Sequence, residues 1–579
     1  MGSHTNEQLA FEQWKARVTD AELQQQLAAM EGDEEKIRRY FSAPLSFGTA
    51  GLRGVMEPGV GAMNIYTVAQ ATRGLAAYLL TESGVPDAAQ RGVVVGMDSR
   101  IHSADFAKLT AAVLAHCGIK VYLFDELRPT PMVSFAVRQL HAIAGVNITA
   151  SHNPKEYNGY KVYYEDGAQI SPVQAEKIST AIERIDIFAA LDGVDFDAAL
   201  ASGQIVMLGK ETDEQYLENV LAQRVDESLI PRTAEDLRIV YTPFHGAGRR
   251  LVPEALRRCG LKHLYLVEEQ MTPDGSFPTV ESPNPENPEG FALGIALAEK
   301  VRSDLIVATD PDADRVGVMA RDSAGKFRTI TGNRMGALLL EYILAAHTEN
   351  GSMPPEPYAV KTIVTTELAA AVCRHYSVKL YDVLTGFKYI GEIIKKSEES
   401  GEGSFILGFE ESYGYLKGSY ARDKDAVVAS MLICEMAAYY KEKGMTLCDA
   451  EEQLLARYGY YAEHTENLVM PGSDGKEKMR ALMERLRRQP PEIFAGKTVI
   501  GVRDYESGKI RRADGSNSET GLPKSDVLYF ELDGGSNIII RPSGTEPKVK
   551  IYLMARGDTA DETAALLVAF KEAIQPWKA

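Results

Sequence analysis

The chain has 579 residues, of which 45% are apolar and 25% charged, as expected for a globular protein with about three to five domains. Its 63 basic and 81 acidic residues give a net charge of −18, which disfavours nucleic acid and anionic membranes as partners. Five widely spaced cysteines without a CxxC pair predict a reduced, cytoplasmic protein. No apolar run approaches the ~18 residues of a membrane span, so no membrane association is expected.

Helical and strand patterns alternate along most of the chain. Apolar residues recur at helical spacing from Val68 to Leu79, and GVVVGMDSR then has the pattern of a buried strand that ends in a polar loop. Ser103 predicts the N-cap of a second helix, which Gly118 closes before the strand IKVYLFD. This alternation predicts a layered α/β domain.

The plan of a strand followed by a polar loop returns between residues 237 and 415. The segments are LRIVYTPFHGAG, SDLIVATDPDADR, KLYDVLTGFKYI and GSFILGFEESYGY. The last ~120 residues differ, because several strands lie there between two helices, which predicts a separate α+β domain. Loops at strand ends commonly carry function in such folds, so these loops are the candidate sites.

The loop TDPDADR contains Asp310, Asp312 and Asp314. In an extended segment every second side chain points the same way, so the three carboxylates are expected on one face. Their repulsion requires a cation, and a ligand set made only of oxygen suits Mg²⁺ or Ca²⁺. A solvated acidic turn and an aspartyl-phosphate enzyme are the alternatives. An EF-hand is excluded because Arg315 stands where glycine is required.

Two glycine loops that contain an arginine are candidate phosphate sites. RPSGTEPK combines Arg541 with Ser543, Gly544 and Thr545. Backbone N–H groups in such a turn bind an anion, while the guanidinium grips phosphate oxygens. FGTAGLRG contains Arg53 and invites the same interpretation, although glycine-rich turns are common. A plain turn between two strands remains the alternative for both loops.

The loop FEESYG contains Glu410 and Ser412, two residues apart and thus on one side of an extended segment. An acceptor paired with a hydroxyl suits the vicinal hydroxyls of a sugar. Taken alone, the pattern is more typical of a surface turn.

The stretch TASHNP follows the apolar run AIAGVNI and places Ser151 at the end of a strand. Asn153 and Pro154 are expected to shape the turn, because proline fixes its own φ and restricts the residue before it. A hydroxyl presented in this way is a candidate reaction centre.

In their order along the chain, TASHNP, DPDADR, FEESYG and RPSGTEPK resemble the α-D-phosphohexomutase superfamily, in particular its phosphoglucomutase/phosphomannomutase branch. FGTAGLRG, RPTPMVSFAV, NGYKVY, TPFHGAG and TGFKYI are similar to that family too. The resemblance implies an α/β fold of three similar domains with mixed sheets, plus a C-terminal α+β domain, around a central cleft. The implied domains are residues 1–207, 208–325, 326–458 and 459–579. The chain reads GFEES where many relatives read GEES or GEMS, which leaves the hexose preference open.

The resemblance also implies the site residues. Ser151 is the phosphorylated serine and, with Asp310, Asp312 and Asp314, a Mg²⁺ ligand. The implied substrate-binding residues are Arg53, Thr385, Gly386, Glu410, Ser412, Lys424, Arg541, Ser543, Gly544 and Thr545. Catalytic roles fall to Ser151, to Arg315 as a cation, and to Lys161 as the base, with its pKa lowered by burial. His152 is the alternative base.

The implied reaction converts glucose 1-phosphate into glucose 6-phosphate. Phosphorylated Ser151 donates its phosphoryl group, a bound glucose 1,6-bisphosphate reorients, and the other phosphate returns to Ser151. Mannose, glucosamine and pentose phosphates are alternative substrates. An aspartyl-phosphate phosphatase and a sugar-phosphate-binding regulator without catalysis are alternative classes. The expected partners are small sugar phosphates, and a monomer and a small homo-oligomer both stay open.

Overall fold

The computed structural model describes residues 5–49, 51–470, 474–543 and 548–578. The helices are α1 Asn6–Arg17, α2 Ala21–Ala29, α3 Glu34–Phe41, α4 Ile65–Thr81, α5 Ala88–Arg91, α6 Ser103–His116, α7 Thr130–Gln139, α8 Pro172–Glu183, α9 Phe196–Ala201, α10 Lys210–Leu221, α11 Leu229–Thr233, α12 Gly248–Arg258, α13 Glu268–Met271, α14 Ala292–Val301, α15 Gly332–Glu349, α16 Leu368–His375, α17 Phe387–Ser400, α18 Ala426–Glu442, α19 Leu447–Tyr458, α20 Gly475–Arg488 and α21 Ala560–Ala573. The strands are β1 Leu52–Val55, β2 Val93–Met97, β3 Val121–Phe124, β4 Ala144–Ile148, β5 Tyr157–Tyr164, β6 Ile205–Leu208, β7 Arg238–Thr242, β8 His263–Leu266, β9 Leu305–Thr309, β10 Val316–Arg321, β11 Phe327–Ile330, β12 Pro357–Thr362, β13 Lys379–Val383, β14 Ser404–Glu410, β15 Gly414–Leu416, β16 Tyr460–Val469, β17 Ile493–Phe494, β18 Lys497–Asp504, β19 Lys509–Arg512, β20 Asn517–Glu519, β21 Leu528–Leu532, β22 Asn537–Pro542 and β23 Lys548–Gly557.

The first sheet has the strand order β1-β5-β4-β2-β3-β6. Strands β4, β2, β3 and β6 run parallel, while β5 is antiparallel to both β4 and β1. The central strands β2 and β4 are completely buried because helices cover both faces of the sheet. Since β2 and β4 are parallel neighbours, the loops that follow Met97 and Ile148 emerge at the same edge.

The second and third sheets are mixed in the same way. The second has the order β11-β10-β9-β7-β8, with a parallel core and an antiparallel pair β9 and β10. The third has the order β13-β12-β14-β15, and its last pair is again antiparallel. In each sheet a tight turn into an antiparallel strand carries a predicted loop, DPDADR in the second and FEESYG in the third.

The fourth sheet is antiparallel and follows the order β16-β23-β22-β21-β18-β19-β20, with β17 paired to β18. Helices α20 and α21 pack on it through Leu482, Leu486 and Phe570. Three mixed sheets flanked by helices, followed by this β-rich unit, confirm the predicted fold class. The domain limits given above stay predictions.

One apolar core is continuous across the first three units. It joins Val133 of α7 to Leu251 of α12 and then to Leu338 of α15 and Leu432 of α18. Because side chains of all three units share this core, the loops at their strand ends are held in fixed relative positions. Among the described residues, no helix has both the length and the apolar composition needed to cross a bilayer.

The predicted cap at Ser103 is wrong. Helix α6 begins at Ser103 itself, with His102 as the capping residue and no capping hydrogen bond from its side chain. The Ser103 hydroxyl donates instead to Asp98 Oδ1 at 2.7 Å. A tertiary contact at the end of β2 has therefore taken the hydroxyl that the local pattern assigns to the helix.

Candidate active site

The loop after β4 presents Ser151 toward the second sheet. Ser151 has a φ of +52°, in the left-handed region that residues other than glycine seldom occupy. Its backbone N–H donates to Thr149 Oγ1 at 2.8 Å, and only 3% of the residue is exposed. Burial and this unusual backbone conformation hold the hydroxyl in one direction.

Arg100, in the loop after β2, binds the carbonyl groups of the serine loop. Its guanidinium donates to the carbonyl oxygens of Ser151, Asn153, Pro154 and Tyr157. Asp98 Oδ2 lies 3.4 Å from Arg100 Nε, and both side chains are fully buried, so the charge of the arginine is balanced. The ring of Phe277, from the second unit, lies 5.1 Å from the guanidinium carbon. The serine loop is thus braced by residues of two units.

The turn between β9 and β10 brings the carboxylates of Asp310, Asp312 and Asp314 together, within 4.8 Å of one another and buried. Their convergence is confirmed, but the extended geometry predicted for it is wrong. Ala313 has a φ of +50°, and its N–H donates to the Asp310 carbonyl oxygen at 2.9 Å. The hydrogen bonds of a tight turn, rather than strand alternation, direct the three side chains.

The carboxylate cluster is surrounded by donors from the first and third units. Lys161 Nζ, from β5, donates to Asp312 Oδ2 at 2.7 Å and to Asp314 Oδ2 at 3.2 Å. Lys424 Nζ lies 3.3 Å from Asp314 Oδ2, and Thr130 Oγ1 donates to Asp312 Oδ2 at 2.6 Å. Two ammonium groups therefore offset part of a charge that burial would otherwise make costly.

The predicted lowering of the Lys161 pKa is wrong. Burial does favour loss of its proton, but the carboxylates of Asp312 and Asp314 outweigh burial and raise the pKa of Lys161 above its ordinary value. Lys161 is a charged partner of the acidic cluster in this structure.

The Ser151 hydroxyl donates to Asp310 Oδ2 at 2.8 Å, which joins the first unit to the acidic cluster. Burial and the negative charges of Asp312 and Asp314 raise the pKa of Asp310. His152 Nδ1 lies 3.2 Å from the same hydroxyl. Burial and the neighbouring cationic side chains hold the pKa of His152 well below its ordinary value, so its imidazole is neutral.

The acidic cluster suits a hard divalent cation. Asp312 Oδ1 and Asp314 Oδ1 are buried without a hydrogen-bond partner among the described residues, although buried carboxylate oxygens normally have one. A divalent ion with ~2.1 Å bonds to oxygen would satisfy both atoms, and the donor set consists only of oxygen, as Mg²⁺ prefers. The residues present therefore fit such an ion.

The third loop lies beside this cluster. Glu410 is the last residue of β14, and its Oε1 accepts a hydrogen bond from the Gly386 N–H at 3.0 Å. Arg315 Nη1 donates to the Ser412 carbonyl oxygen at 3.1 Å. Thr385 Oγ1 is buried and has no partner among the described residues, which leaves its hydroxyl available to a ligand. The extended geometry predicted for FEESYG is wrong, because a turn with Tyr413 at a φ of +66° follows Glu410.

Glu411, the residue between the two predicted sugar ligands, has an unusual environment. Burial and the adjacent carboxylate of Glu410 raise the pKa of Glu411 to about 7. Thr362 and Thr365 donate to its Oε2 at 3.5 Å and 3.4 Å. These contacts are long, so Glu411 is only weakly held.

The fourth loop faces the third. Arg541, near the end of β22, stands opposite Lys550 in the register of the antiparallel strands β22 and β23. The Ser543 N–H donates to the Lys548 carbonyl oxygen at 2.8 Å. Burial lowers the pKa of Lys550. The negative charge of Glu411 opposes this shift and the positive charge of Arg541 adds to it, which shows that both residues lie near Lys550. The predicted ligands Gly544 and Thr545 lie outside the described residues.

Arg53, the predicted ligand from FGTAGLRG, reaches the serine loop. It belongs to β1, which pairs with β5, and its Nη1 donates to Asn153 Oδ1 at 2.9 Å. The first glycine loop therefore adds a cation beside Ser151.

Sequence reasoning missed three residues that organise the site. Arg100 binds the serine loop, Thr130 donates to Asp312, and Asn147 Nδ2 donates to Thr130 Oγ1 at 2.8 Å. One signal was available, since Arg100 and Asn147 lie on or just after the parallel strands β2 and β4, whose ends meet at one edge. Thr130 stands in RPTPMVSFAV, a stretch already noted as similar to the family.

The arrangement supports phosphoryl transfer. The Ser151 hydroxyl contacts one member of a cluster of three carboxylates that suits a cation. Four cationic side chains lie around this site: Arg53, Lys161, Arg315 and Lys424. Transfer of a phosphoryl group requires mainly alignment and neutralised charge, and these residues supply both.

Three comparisons with known proteins agree with this geometry. Residues 44–187, 214–325 and 331–458 match the families described as phosphoglucomutase/phosphomannomutase, alpha/beta/alpha domains I, II and III. A phosphoglucomutase of Staphylococcus haemolyticus is 36% identical over 525 residues, which cover 90% of this chain and 92% of that protein. A phosphoglucomutase of Staphylococcus aureus is 36% identical over 557 residues, or 96% of this chain and 97% of that protein.

Solved structures share the fold. The open form of pp63/parafusin, a phosphoglucomutase from Paramecium, superposes with a TM-score of 0.66 at 18% identity and covers 93% of this chain and 95% of that chain. A phosphoglucomutase/phosphomannomutase family protein from Burkholderia thailandensis has a TM-score of 0.62 at 20% identity and covers 92% and 97%.

Proposed function

The chain belongs to the phosphoglucomutase/phosphomannomutase family, and from this premise we propose that it interconverts glucose 1-phosphate and glucose 6-phosphate. It is a phosphohexomutase, and its relatives at 36% identity are named phosphoglucomutase. The observation that carries the proposal is the Ser151 hydroxyl, 2.8 Å from one of three buried aspartates in a cluster suited to a cation. The proposed partners are small sugar phosphates, met in the cytoplasm by a monomer or small homo-oligomer.

In the proposed cycle, Ser151 carries the phosphoryl group between two orientations of the sugar. Phosphoserine transfers the group to the free hydroxyl of the bound sugar phosphate, which leaves glucose 1,6-bisphosphate and a serine hydroxyl. After the bisphosphate turns over, its second phosphoryl group moves to Ser151 and the product leaves. The left-handed backbone of Ser151 and its contact with Arg100 support this role, because both keep Oγ in one position through both transfers.

Charge is the main obstacle, because phosphoserine and the substrate phosphate each carry about −1.5 to −2. Asp310, Asp312 and Asp314, together with the Ser151 oxygen, would hold a Mg²⁺ ion. When bound, such an ion would neutralise phosphate charge. It would also offset the negative charge of the carboxylates, which raises the pKa of Lys161, and so would favour loss of the Lys161 proton. Arg315 and Arg53 are the proposed cations on the protein side.

Lys161 remains the proposed base, with His152 as the alternative. Lys161 is buried beside the acidic cluster, and His152 is neutral and lies 3.2 Å from Ser151 Oγ. The short distance supports His152 as a group that orients the hydroxyl, whereas Lys161 faces the cluster where the sugar hydroxyl must approach.

Recognition of the sugar is assigned to the third loop and of the non-reacting phosphate to the fourth. Glu410 and Ser412 offer acceptors for sugar hydroxyls, with Thr385, Gly386 and Lys424 around them. Arg541 and Ser543, with Gly544 and Thr545, would grip the phosphate that is not transferred. Since the two phosphates of the bisphosphate exchange places, these contacts must accept both orientations.

The position of the covalent phosphate tests the proposal. Protein incubated with glucose 1,6-bisphosphate and Mg²⁺ is digested, and its phosphopeptides are sequenced by mass spectrometry. We expect the phosphate on Ser151. Phosphate on Asp310 or Asp312, with none on Ser151, would contradict the mutase and favour an aspartyl-phosphate phosphatase.

Substrate preference is tested by a coupled assay with the 1-phosphates of glucose, mannose, glucosamine and ribose. We expect the highest kcat/KM with glucose 1-phosphate. A higher value with another sugar would leave the mutase reaction intact and correct the substrate.

A further inference from the structure

A groove of about 480 Å³ lies where the third unit meets the C-terminal sheet, and none of its lining residues belongs to the candidate active site. We refer to it as the interface groove. Its charged lining consists of four arginines and three carboxylates: Arg374, Arg503, Arg512, Arg556, Glu367, Asp382 and Glu531. Its volume falls within the ~300–1,000 Å³ of ligand pockets in proteins.

The interface groove and the active site occupy opposite ends of one sheet face. Alternate residues of a strand point the same way, so Asn537 and Arg541 of β22 share a face, about 13 Å apart. Arg541 faces the third loop, whereas Asn537 lines the groove. Between them, Ile539 packs against Val364 and Leu384 of the third unit. An apolar band therefore separates two polar sites at the same interface.

The acidic residues of the groove are already paired. Lys361 Nζ, fully buried behind the groove, lies 3.0 Å from Glu367 and 2.8 Å from Asp382. Glu531 is shared by Arg503 at 2.5 Å and Arg512 at 2.9 Å. Each carboxylate thus has a cationic partner before any ligand binds.

Two arginines of the groove retain free donors. The guanidinium of Arg374, on α16, forms no hydrogen bond or ion pair with another residue of the described ranges. Arg556 donates to the Gly534 carbonyl oxygen at 3.0 Å and forms no ion pair with another residue that the structure describes. In a chain with a net charge of −18, cations outnumber carboxylates at this groove. The groove is therefore complementary to an anion.

We propose that the interface groove binds a small phosphorylated metabolite with about two negative charges, held between Arg374 of the third unit and the arginines of the C-terminal sheet. The guanidinium fork matches pairs of phosphate oxygens. Lys361, Arg503 and Arg512 pair with the three carboxylates, so Arg374 and Arg556 supply two positive charges to the ligand. The rings of Tyr461 and Tyr529 also line the groove and offer an apolar wall for the carbon skeleton of the ligand.

Such a ligand would link the third unit to the C-terminal sheet at the end opposite Arg541. A ligand that bridges two units stabilises their contact by mass action. Because Arg541 lies on the same sheet face, binding at the groove is expected to change the apparent KM for the sugar phosphate.

The probe for the test is inorganic phosphate, which carries about −1.5 to −2 at neutral pH, applied to an Arg541→Ala background so that the proposed active-site phosphate loop is weakened. Hydrogen-exchange mass spectrometry locates the binding, and calorimetry measures its affinity. We expect protection of peptides that cover residues 368–382 and 500–512. When Arg374→Ala and Arg556→Ala are added to this background, affinity should fall at least ~10-fold and the protection should disappear.

Arg184→Ala, directly after α8 in the first unit, is the matched control, because its side chain is 69% exposed and lies away from the groove. It should leave the protection unchanged. Protection confined to peptides around residue 541, absence of any protection, or equal protection in the double variant would each overturn the inference. Phosphorylation of Ser151 is measured separately, so failure of the groove site and failure of the proposed mutase are distinguishable.

Discussion

The proposed reaction centre and the proposed phosphate loop differ in how firmly they are held. Around Ser151, side chains from three units converge, Asp310 and Asp312 are fully buried, and the serine loop is bound by Arg100 through four carbonyl groups. Ser412 of the third loop and Arg541 of the fourth are partly exposed. In the proposed mechanism, the serine that must stay aligned is thus held by many contacts, whereas the groups that must accept either phosphate are more accessible.

The largest effect on activity is expected from a substitution at Ser151, in the firmly held centre. Ser151→Ala removes the proposed carrier of the phosphoryl group, and kcat should fall by about a thousandfold or more, with circular dichroism unchanged. The matched control, Ser202→Ala in an exposed position, should keep full activity. Substantial residual turnover in Ser151→Ala would remove the serine from the mechanism.

Asp312→Asn tests the acidic cluster. Loss of one carboxylate should weaken Mn²⁺ binding by about tenfold or more, measured by electron paramagnetic resonance, and lower kcat by ~100-fold. Asp514→Asn, in an exposed turn, is the control and should change neither quantity. Unaltered Mn²⁺ affinity in Asp312→Asn would mean that the cluster is not the metal site.

Arg541→Ala tests the accessible side. Loss of a charged hydrogen bond to the non-reacting phosphate should raise KM by ~10–100-fold while kcat changes little. Arg511→Ala, exposed in the same unit, should leave KM unchanged. If Arg541→Ala lowered kcat and left KM unaltered, Arg541 would act on the transfer step at Ser151 and not on binding of the non-reacting phosphate.

Arg100→Lys tests whether the hydrogen bonds from Arg100 to the serine loop affect the rate of phosphoryl transfer. Lysine keeps the charge beside Asp98 but lacks the fork that reaches several carbonyl oxygens, so kcat should fall ~10-fold with KM nearly unchanged. Transfer of phosphate from glucose 1,6-bisphosphate to Ser151 should slow equally. A variant with lower stability but unchanged transfer would show that Arg100 serves the fold alone.

The smallest effect concerns Glu411. Its pKa of about 7 exceeds the ordinary 4.5, so the folded protein binds this proton more tightly, and stability falls as pH rises from 4.5 to 7. Glu411→Gln removes this loss. Its thermal midpoint should exceed that of the parent by ~2 °C at pH 8 and equal it at pH 4.5. Equal midpoints at both pH values would show that Glu411 ionises normally.

Local patterns predicted the layered α/β units and the separate C-terminal unit, and they selected Ser151 and the three aspartates as candidate site residues, whereas the roles of these residues came from the family resemblance. Strand and helix periodicities predicted the layered units, since burial of one face imposes them wherever such a strand or helix occurs. TASHNP and DPDADR likewise placed Ser151 and the three aspartates at strand ends, where loops of an α/β unit carry chemistry.

Tertiary contacts decided how these residues meet. Asp310 to Asp314 and FEESYG were expected to be extended, but both form turns, because an antiparallel strand follows each and its pairing closes the loop. Lys161 is buried as foreseen, yet its pKa rises, since carboxylates from another unit, about 150 residues away in the chain, lie against it. The contacts of Arg100 with the serine loop and of Thr130 with Asp312 were likewise not predictable from the sequence pattern. A hydrogen bond or an ion pair depends on distances across the fold, and a linear pattern contains no record of those distances.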